Sequence, residues 1–193
     1  GGQRILILLD SSASMLDNTI VNIIRTRNMD DDLKRNAPKW QRVVNTVDWV
    51  STQLPITSQY QIWSFNTSYE PVLPEASNTW LEAADRDLLN EAIGNVKSLV
   101  PENGTNLTQI FRAVANMSPP PDNIFLITDG LPTVGDRNSS NSLVTPSERL
   151  EFFEEAVDEL SPGTPINVIL MPLEGDPSAA AAYWQLAQYT KGS

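Results

Sequence analysis

Asp10-Ser11-Ser12-Ala13-Ser14 is the first of three polar segments whose residue types and spacing could bind a metal ion. Asp10, Ser12 and Ser14 follow an apolar run and supply one carboxylate and two hydroxyl groups. These are hard oxygen donors, and Mg²⁺ takes about six such ligands in octahedral array, several of them waters. The same residue types also cap helices by accepting hydrogen bonds from free N–H groups. The segment by itself therefore leaves a metal site and a helix cap open.

Two later segments add to this set of oxygen donors. Gly104-Thr105 places a hydroxyl group just before an amphipathic segment, and Thr128-Asp129-Gly130 places a carboxylate at the end of an apolar run. Polar residues that follow parallel strands meet at the carboxyl edge of a doubly wound sheet, where ligands bind. We therefore expect the segments to converge there. The candidate metal ligands are Asp10, Ser12, Ser14, Thr105 and Asp129.

The composition excludes most other kinds of functional site. The 193 residues include no Cys and no His, which rules out disulfides, thiolate zinc sites, Fe–S clusters, Ser-His-Asp triads and imidazole metal ligands. The formal net charge of −11 argues against a nucleic-acid partner, which needs clustered Lys and Arg. No run approaches the ~18 apolar residues that cross a membrane, so we expect no membrane contact by this segment.

Apolar runs and helical periodicities alternate along the chain. Apolar runs predict strands at 4–9, 60–65, 123–128 and 166–171, and Pro71 marks 69–73 as an antiparallel edge strand. Spacings of i, i+3, i+4 and i+7 predict helices near 39–54, 85–99, 107–117, 146–160 and 178–189. The alternation predicts an α/β fold: a Rossmann-like, doubly wound and mostly parallel central sheet with one antiparallel edge strand and helices on both faces.

Residues 17–38 fit neither periodicity, and we predict a partly helical insertion before the first long helix. Residues 1–42 carry seven basic and five acidic side chains, whereas the rest of the chain carries six and nineteen. Asp30-Asp31-Asp32 lacks the spaced pattern of a calcium loop, which favours a solvated turn. The insertion is either a solvated excursion or a contact surface for an acidic partner. Its basic side chains are Arg25, Arg27, Lys34 and Arg35.

The order of the three segments resembles a known family. D-x-S-x-S, then G-T, then T-D-G between Asp10 and Gly130 resemble the von Willebrand factor type A domain, and the resemblance covers nearly the whole chain. It implies a single domain over 1–193, with the final edge strand of the family absent or truncated. Ala13 stands where the family usually has Gly, which is tolerated if that residue is helical.

The resemblance also implies a metal-ion-dependent adhesion site for Mg²⁺, or for Mn²⁺ or Ca²⁺. Ser12 and Ser14 would bind the cation directly, and Thr105 directly or through water. Asp10 and Asp129 would act largely through water. A protein partner would complete the site with an acidic side chain, and the domain itself would be monomeric.

Three functions remain open on the sequence. A metal-dependent adhesion or scaffolding module, which is not an enzyme, is the first. A Mg²⁺-dependent phosphohydrolase of haloacid-dehalogenase type is the second, but it requires D-x-D, and Ser12 stands where the second Asp should be. A structural domain without bound metal is the third. Segments 39–44 and 122–130 resemble bacterial members of the family, so we expect a periplasmic or extracytoplasmic part of a cell-envelope protein whose parent is membrane-anchored.

Overall fold

Six strands form the central sheet of the computed structural model, which describes residues 3–77, 79–136 and 143–193. The strands are β1 (Arg4–Asp10), β2 (Gln59–Phe65), β3 (Tyr69–Pro71), β4 (Leu81–Glu82), β5 (Asn123–Thr128) and β6 (Ile166–Leu170). The helices are α1 (Ile20–Thr26), α2 (Asp31–Arg35), α3 (Pro38–Thr52), α4 (Arg86–Ser98), α5 (Leu107–Ala115), α6 (Pro146–Asp158) and α7 (Ala179–Thr190). Two short 3-10 helices span Ala13–Leu16 and Pro74–Ala76.

The sheet is mostly parallel, as the sequence predicts. Its order is β3-β2-β1-β5-β6, with β1, β2, β5 and β6 parallel to one another. Both β3 and β4 pair with β2 in antiparallel orientation. The antiparallel edge is therefore divided into two short pieces, and the second piece has only two residues, too few to produce a sequence pattern. The strand order reverses at β1, which puts the carboxyl ends of β1 and β5 side by side, where such sheets bind ligands.

The sheet is covered on both faces, which explains the uninterrupted apolar character of β1. Alternate residues of β1 enter two cores, with Ile5, Ile7 and Leu9 on one side and Leu6 and Leu8 on the other. The first core packs against α3 and α4, and the second packs against α5, α6 and α7. The sheet is thus held rigidly between two layers of helices, so its carboxyl edge is a fixed platform for side chains.

The predicted long helices are all present. Each begins and ends within two residues of its predicted bounds, and α6 begins at the predicted Pro146. At that start the capping box is formed, because Thr145 N donates to Glu148 Oε2 at 2.7 Å and Glu148 N donates to Thr145 Oγ1 at 3.2 Å. No helix in the described ranges has the length and apolar character needed to cross a membrane.

The chain between the first 3-10 helix and α3 contains two short helices, α1 and α2. At the other end of the described chain, no strand follows α7 within residues 143–193. The N–H of Val168 on β6 donates to the carbonyl oxygen of Ser193 at 2.7 Å, which places the residues after α7 beside this edge of the sheet.

Candidate metal centre

Asp10 is the last residue of β1 and is completely buried. Because Leu9 pairs with Ile127 in the parallel register, Asp10 lies next to the end of β5. Both of its carboxylate oxygens accept hydrogen bonds: Oδ1 from Ser12 N at 2.9 Å and Oδ2 from Thr128 Oγ1 at 2.7 Å. These two contacts fix the carboxylate of Asp10 in one orientation beneath the turn that follows β1.

The two predicted hydroxyl ligands of this turn lie together. Ser12 Oγ and Ser14 Oγ are 3.0 Å apart, and Ser14 Oγ donates to Asp129 Oδ1 at 2.8 Å. The turn continues into the 3-10 helix that starts at Ala13, whose N–H donates to Asn103 O at 2.9 Å. Ala13 has no positive φ, so alanine is accepted at this position without backbone strain. The structure therefore brings Asp10, Ser12, Ser14 and Asp129 into one hydrogen-bonded group.

Thr105 is held on a separate loop that reaches the same turn. Its N–H donates to Thr133 Oγ1 at 2.9 Å, and its carbonyl accepts from the N–H groups of Thr133 and Val134, both at 3.0 Å. A Cβ on Gly104 would lie 2.6 Å from Thr133 Oγ1, so the loop needs glycine for this close approach. In the part of the chain that the structure describes, every hydrogen bond of Thr105 is made by its main chain. Its hydroxyl group is not bonded to the other four candidates.

Lys39 is a fifth member of the hydrogen-bonded group and is not among the site residues predicted from the sequence. Its side chain is 1% exposed, and its ammonium Nζ donates to Asp129 Oδ2 at 2.7 Å. The same ammonium donates to the carbonyl oxygens of Ser14 at 2.9 Å and Asp17 at 3.1 Å. A signal was present, because Lys39 lies on the buried face of α3 together with Val43 and Val47. A lysine on an apolar helix face needs a partner, and here the partner is Asp129.

Burial raises the pKa of both site carboxylates, and for Asp10 the negative charge of Asp129 adds to this effect. Burial, and then the negative charge of Asp129, raise the pKa of Asp10 to about 7. Burial also raises the pKa of Asp129, although the ammonium of Lys39 and the hydroxyl of Ser14 act in the opposite direction. When both acids are ionised, Lys39 cancels one of their two negative charges. A cation brought to this group would remove the remaining repulsion.

The donor set suits a hard divalent cation. It offers the Ser12 and Ser14 hydroxyls and Asp129 Oδ1, and it contains oxygen but no sulfur or imidazole nitrogen. Within the described ranges there is no cluster of three or more Asp and Glu that would make a carboxylate-rich site. Hydroxyl groups and waters, together with carboxylates that act directly or through water, are ligands that Mg²⁺ accepts. The residues therefore fit a divalent cation.

The residues that follow Asp129 are fixed by α6 and α7. Asp176 Oδ2 accepts from Leu131 N at 2.7 Å and from Arg149 Nη2 at 2.6 Å. Tyr183 OH donates to the carbonyl oxygen of Gly130 at 2.8 Å, and burial raises the pKa of this phenol above its usual range. These contacts hold the end of β5 from the side opposite to Lys39.

Comparison with known proteins identifies the fold. No protein-family model matches the chain, and no curated protein matches it by sequence. Solved structures do match. The von Willebrand factor type A protein from Catenulispora acidiphila has 14% identity and a TM-score of 0.55, over 97% of this chain and 42% of that protein's chain. BatB from Bacteroides thetaiotaomicron has 16% identity and a TM-score of 0.56, over 99% and 88%.

A third solved structure extends the comparison to a pilus protein. The PilB minor pilin from Streptococcus sanguinis has 17% identity and a TM-score of 0.57, over 98% of this chain and 55% of the pilin. At such identities the similarity concerns the path of the backbone and not the site residues. Taken with the strand order and the helices on both faces of the sheet, it shows that the chain has the fold of a von Willebrand factor type A domain.

Proposed function

We propose that this domain is a metal-ion-dependent protein-binding module whose cation is completed by a carboxylate from the partner. The observation that carries the proposal is the contact of Ser12 Oγ, Ser14 Oγ and Asp129 Oδ1 in one group, at 3.0 and 2.8 Å. Three oxygen atoms from two separate segments face one another at the carboxyl edge of the sheet. Such convergence is needed for a ligand site and is not needed for helix capping alone.

Each of the five predicted residues has a role in this proposal. Ser12 and Ser14 bind the cation directly, and Thr105 binds it directly or through water. Asp10 and Asp129 act through water and orient the hydroxyl groups, since each already accepts hydrogen bonds from the turn or from its neighbours. The bound cation would supply a positive centre for a partner's carboxylate. Mg²⁺ is the proposed cation, with Mn²⁺ and Ca²⁺ as alternatives, because the site offers few carboxylates and Ca²⁺ prefers more oxygen ligands.

The charge of the site supports a role for an acidic partner. Lys39 cancels one of the two buried negative charges, so a divalent cation in this group retains a net positive charge. That charge is attractive to a carboxylate even though the whole chain carries −11. We therefore propose a protein ligand that presents an Asp or Glu side chain, and a domain that acts as a monomer.

Binding is favoured over phosphoryl transfer by the environment of Asp10. A phosphohydrolase of the haloacid-dehalogenase type would use this carboxylate as its nucleophile. Here Oδ1 and Oδ2 each accept a hydrogen bond, from Ser12 N and Thr128 Oγ1, and these bonds weaken the carboxylate as a nucleophile. The proposed activity is accordingly binding and not catalysis. A cell-envelope location is part of the same proposal, since similar folds occur in a minor pilin and in a membrane protein related to aerotolerance.

Thermal unfolding and affinity capture together test the proposal. Mg²⁺ or Mn²⁺ should raise the melting temperature of the wild type and of Ser11→Ala, whose hydroxyl is outside the group and donates to Phe65 O. The rise should be lost in Ser14→Ala. Capture from bacterial envelope extract should yield a protein that EDTA releases and that Ser14→Ala fails to retain. A purely structural domain would show no metal response and no EDTA-sensitive capture.

A further inference from the structure

The helix α1 and the turn after it expose an unusual amount of apolar surface. No residue of α1 is buried, and Ile20, Val21 and Ile24 are 51%, 60% and 50% exposed. These three residues lie on one side of the helix, because positions three and four apart are neighbours. Met29 in the following turn is 45% exposed. Single exposed apolar residues are common, but a contiguous group of this kind is characteristic of interaction sites.

The segment that leads into α1 is attached to the candidate metal centre. The carbonyl oxygen of Asp17 accepts from Lys39 Nζ at 3.1 Å, so the segment leading into α1 shares the ammonium that contacts Asp129. Asn18 O accepts from Glu174 N at 2.7 Å, which ties the same segment to the loop after β6. The chain entering α1 is therefore fixed beside the candidate site at Asp17 and Asn18, so α1 begins next to that site.

Charge on α1 is opposite in sign to that of the rest of the chain. Arg25 and Arg27 are exposed, and neither has an ion pair within the described ranges. The other two basic residues of the insertion, Lys34 and Arg35, have different surroundings. Lys34 is buried, and Arg35 pairs with Asp32 at 2.8 Å. Of the four basic residues of the insertion, Arg25 and Arg27 are therefore the two that are exposed and without an ion pair in the described part of the chain.

We infer that the α1 surface, formed by Ile20, Val21, Ile24, Arg25 and Arg27, is a second contact region for the partner that binds the cation. The inference rests on the proposed function. The partner it fits is a protein segment with two acidic side chains and apolar residues between or beside them. One carboxylate reaches the cation, another pairs with Arg25 or Arg27, and the apolar residues cover the exposed side of α1.

A protein segment suits this surface better than other occupants. Two arginines add little affinity for an anionic membrane, and the chain's net charge of −11 opposes approach to such a surface. A second copy would carry the same −11 and meet the same repulsion. An acidic segment of a partner avoids both problems, because it meets the cation and the arginines locally.

Selection of displayed random peptides tests this surface. The bait is the whole chain in Mg²⁺, as wild type, as Val21→Ser/Ile24→Ser and as Arg25→Glu/Arg27→Glu. Ile56→Ser is the matched control, since Ile56 is 63% exposed and precedes β2 at the opposite end of the sheet. Unchanged melting temperatures verify folding. The wild type and the control should enrich peptides that combine Asp or Glu with apolar residues.

The variants distinguish a failure of the α1 surface from a failure of the metal-dependent function. Val21→Ser/Ile24→Ser should lose the apolar preference and bind a wild-type-selected peptide about tenfold more weakly, while dependence on Mg²⁺ and a carboxylate persists. Arg25→Glu/Arg27→Glu should select peptides with a single acidic residue. If peptides selected on the wild type bind Val21→Ser/Ile24→Ser equally well, the α1 surface is refuted and the metal-dependent function stands. If no Mg²⁺-dependent enrichment of carboxylates occurs, both fail.

Two further measurements identify a different occupant. Light scattering at high protein concentration reports self-association, and co-sedimentation with phosphatidylglycerol vesicles reports membrane binding. A dimer or a vesicle-bound form that Val21→Ser/Ile24→Ser abolishes would overturn the assignment to a protein partner. A monomer that does not co-sediment with vesicles agrees with the assignment to a protein partner.

Discussion

The ammonium of Lys39 and the carboxylate of Asp129 form a buried ion pair with 2.7 Å between Nζ and Oδ2, and both side chains are at most 2% exposed. The two oxygens of this carboxylate have different partners: Oδ2 accepts from Lys39 Nζ, while Oδ1 accepts from Ser14 Oγ at 2.8 Å. Lys39 therefore binds one oxygen of Asp129 and leaves the other oxygen to the hydroxyl group of Ser14. Its helix α3 is thus connected to the candidate site by charge as well as by packing.

Replacing Lys39 with methionine should destabilise the metal-free protein and enlarge its response to metal. The change leaves Asp129 buried without its cation, and loss of one partner of a buried pair costs about 3–5 kcal/mol, or roughly 10 °C in melting temperature for a domain of this size. Added Mg²⁺ then has two uncompensated carboxylates to neutralise. Scanning calorimetry with EDTA and with Mg²⁺ measures both effects. A Mg²⁺-induced rise no larger than that of the wild type would show that Lys39 does not act on the site's charge.

The pKa of Asp10 predicts how stability depends on pH. Because this pKa is raised from 3.8 to about 7, the folded chain binds more protons at Asp10 than the unfolded chain between those values. The contribution of Asp10 to the free energy of unfolding therefore falls as pH rises across that interval. In EDTA, the wild type should lose stability relative to Asp10→Asn from about pH 5 to about pH 7.

Metal should reverse that trend, because a cation favours the ionised carboxylates. The Mg²⁺-induced rise in melting temperature should grow over the same pH interval in the wild type and stay small in Asp10→Asn. Thermal unfolding at several pH values, with EDTA or Mg²⁺, follows both trends. A pH-independent difference between the two proteins in EDTA would contradict the raised pKa of Asp10.

Gly104→Ala should disturb the loop that carries Thr105. The added methyl group would meet Thr133 Oγ1, which accepts the N–H of Thr105. We expect a lower melting temperature, by a few degrees for about 1 kcal/mol of displaced packing, and a weaker Mg²⁺ response. Gly94→Ala is the matched control, since a Cβ there has no neighbour within 4 Å and alanine stabilises a helix interior. An unchanged Mg²⁺ response in Gly104→Ala would show that Thr105 does not contribute to binding of the cation.

Sequence periodicity is sufficient to predict the sheet and the long helices, because each of these elements buries apolar residues at regular spacing. It could not find β4, whose two residues pair with β2 without any pattern of their own. The candidate residues after β1 and β5 could also be grouped in advance, since parallel strands end at one edge. The contacts between these residues could not be predicted, because the distance between Ser14 and Asp129 depends on how the 3-10 helix at Ala13 folds back.

The insertion shows a second limit of sequence reasoning. Its four basic residues look alike in composition, yet Lys34 is buried and Arg35 is paired, whereas Arg25 and Arg27 are exposed. For Lys34 and Arg35 on the short helix α2, local periodicity does not specify which side chain turns inward, because that depends on how the helix packs. Lys39 differs from them, because its position on the apolar face of α3 indicates burial.

Isothermal titration calorimetry with Mg²⁺ measures whether the hydroxyl groups of Ser12 and Ser14 bind a cation. The titration should be done on the wild type and on the Ser12→Ala, Ser14→Ala and Ser11→Ala variants, in a buffer containing acetate as a stand-in for the partner's carboxylate. We expect one Mg²⁺ per chain for the wild type and Ser11→Ala, and binding at least about tenfold weaker for the other two variants. Absence of binding in the wild type, or equal affinity in all four proteins, would contradict this expectation.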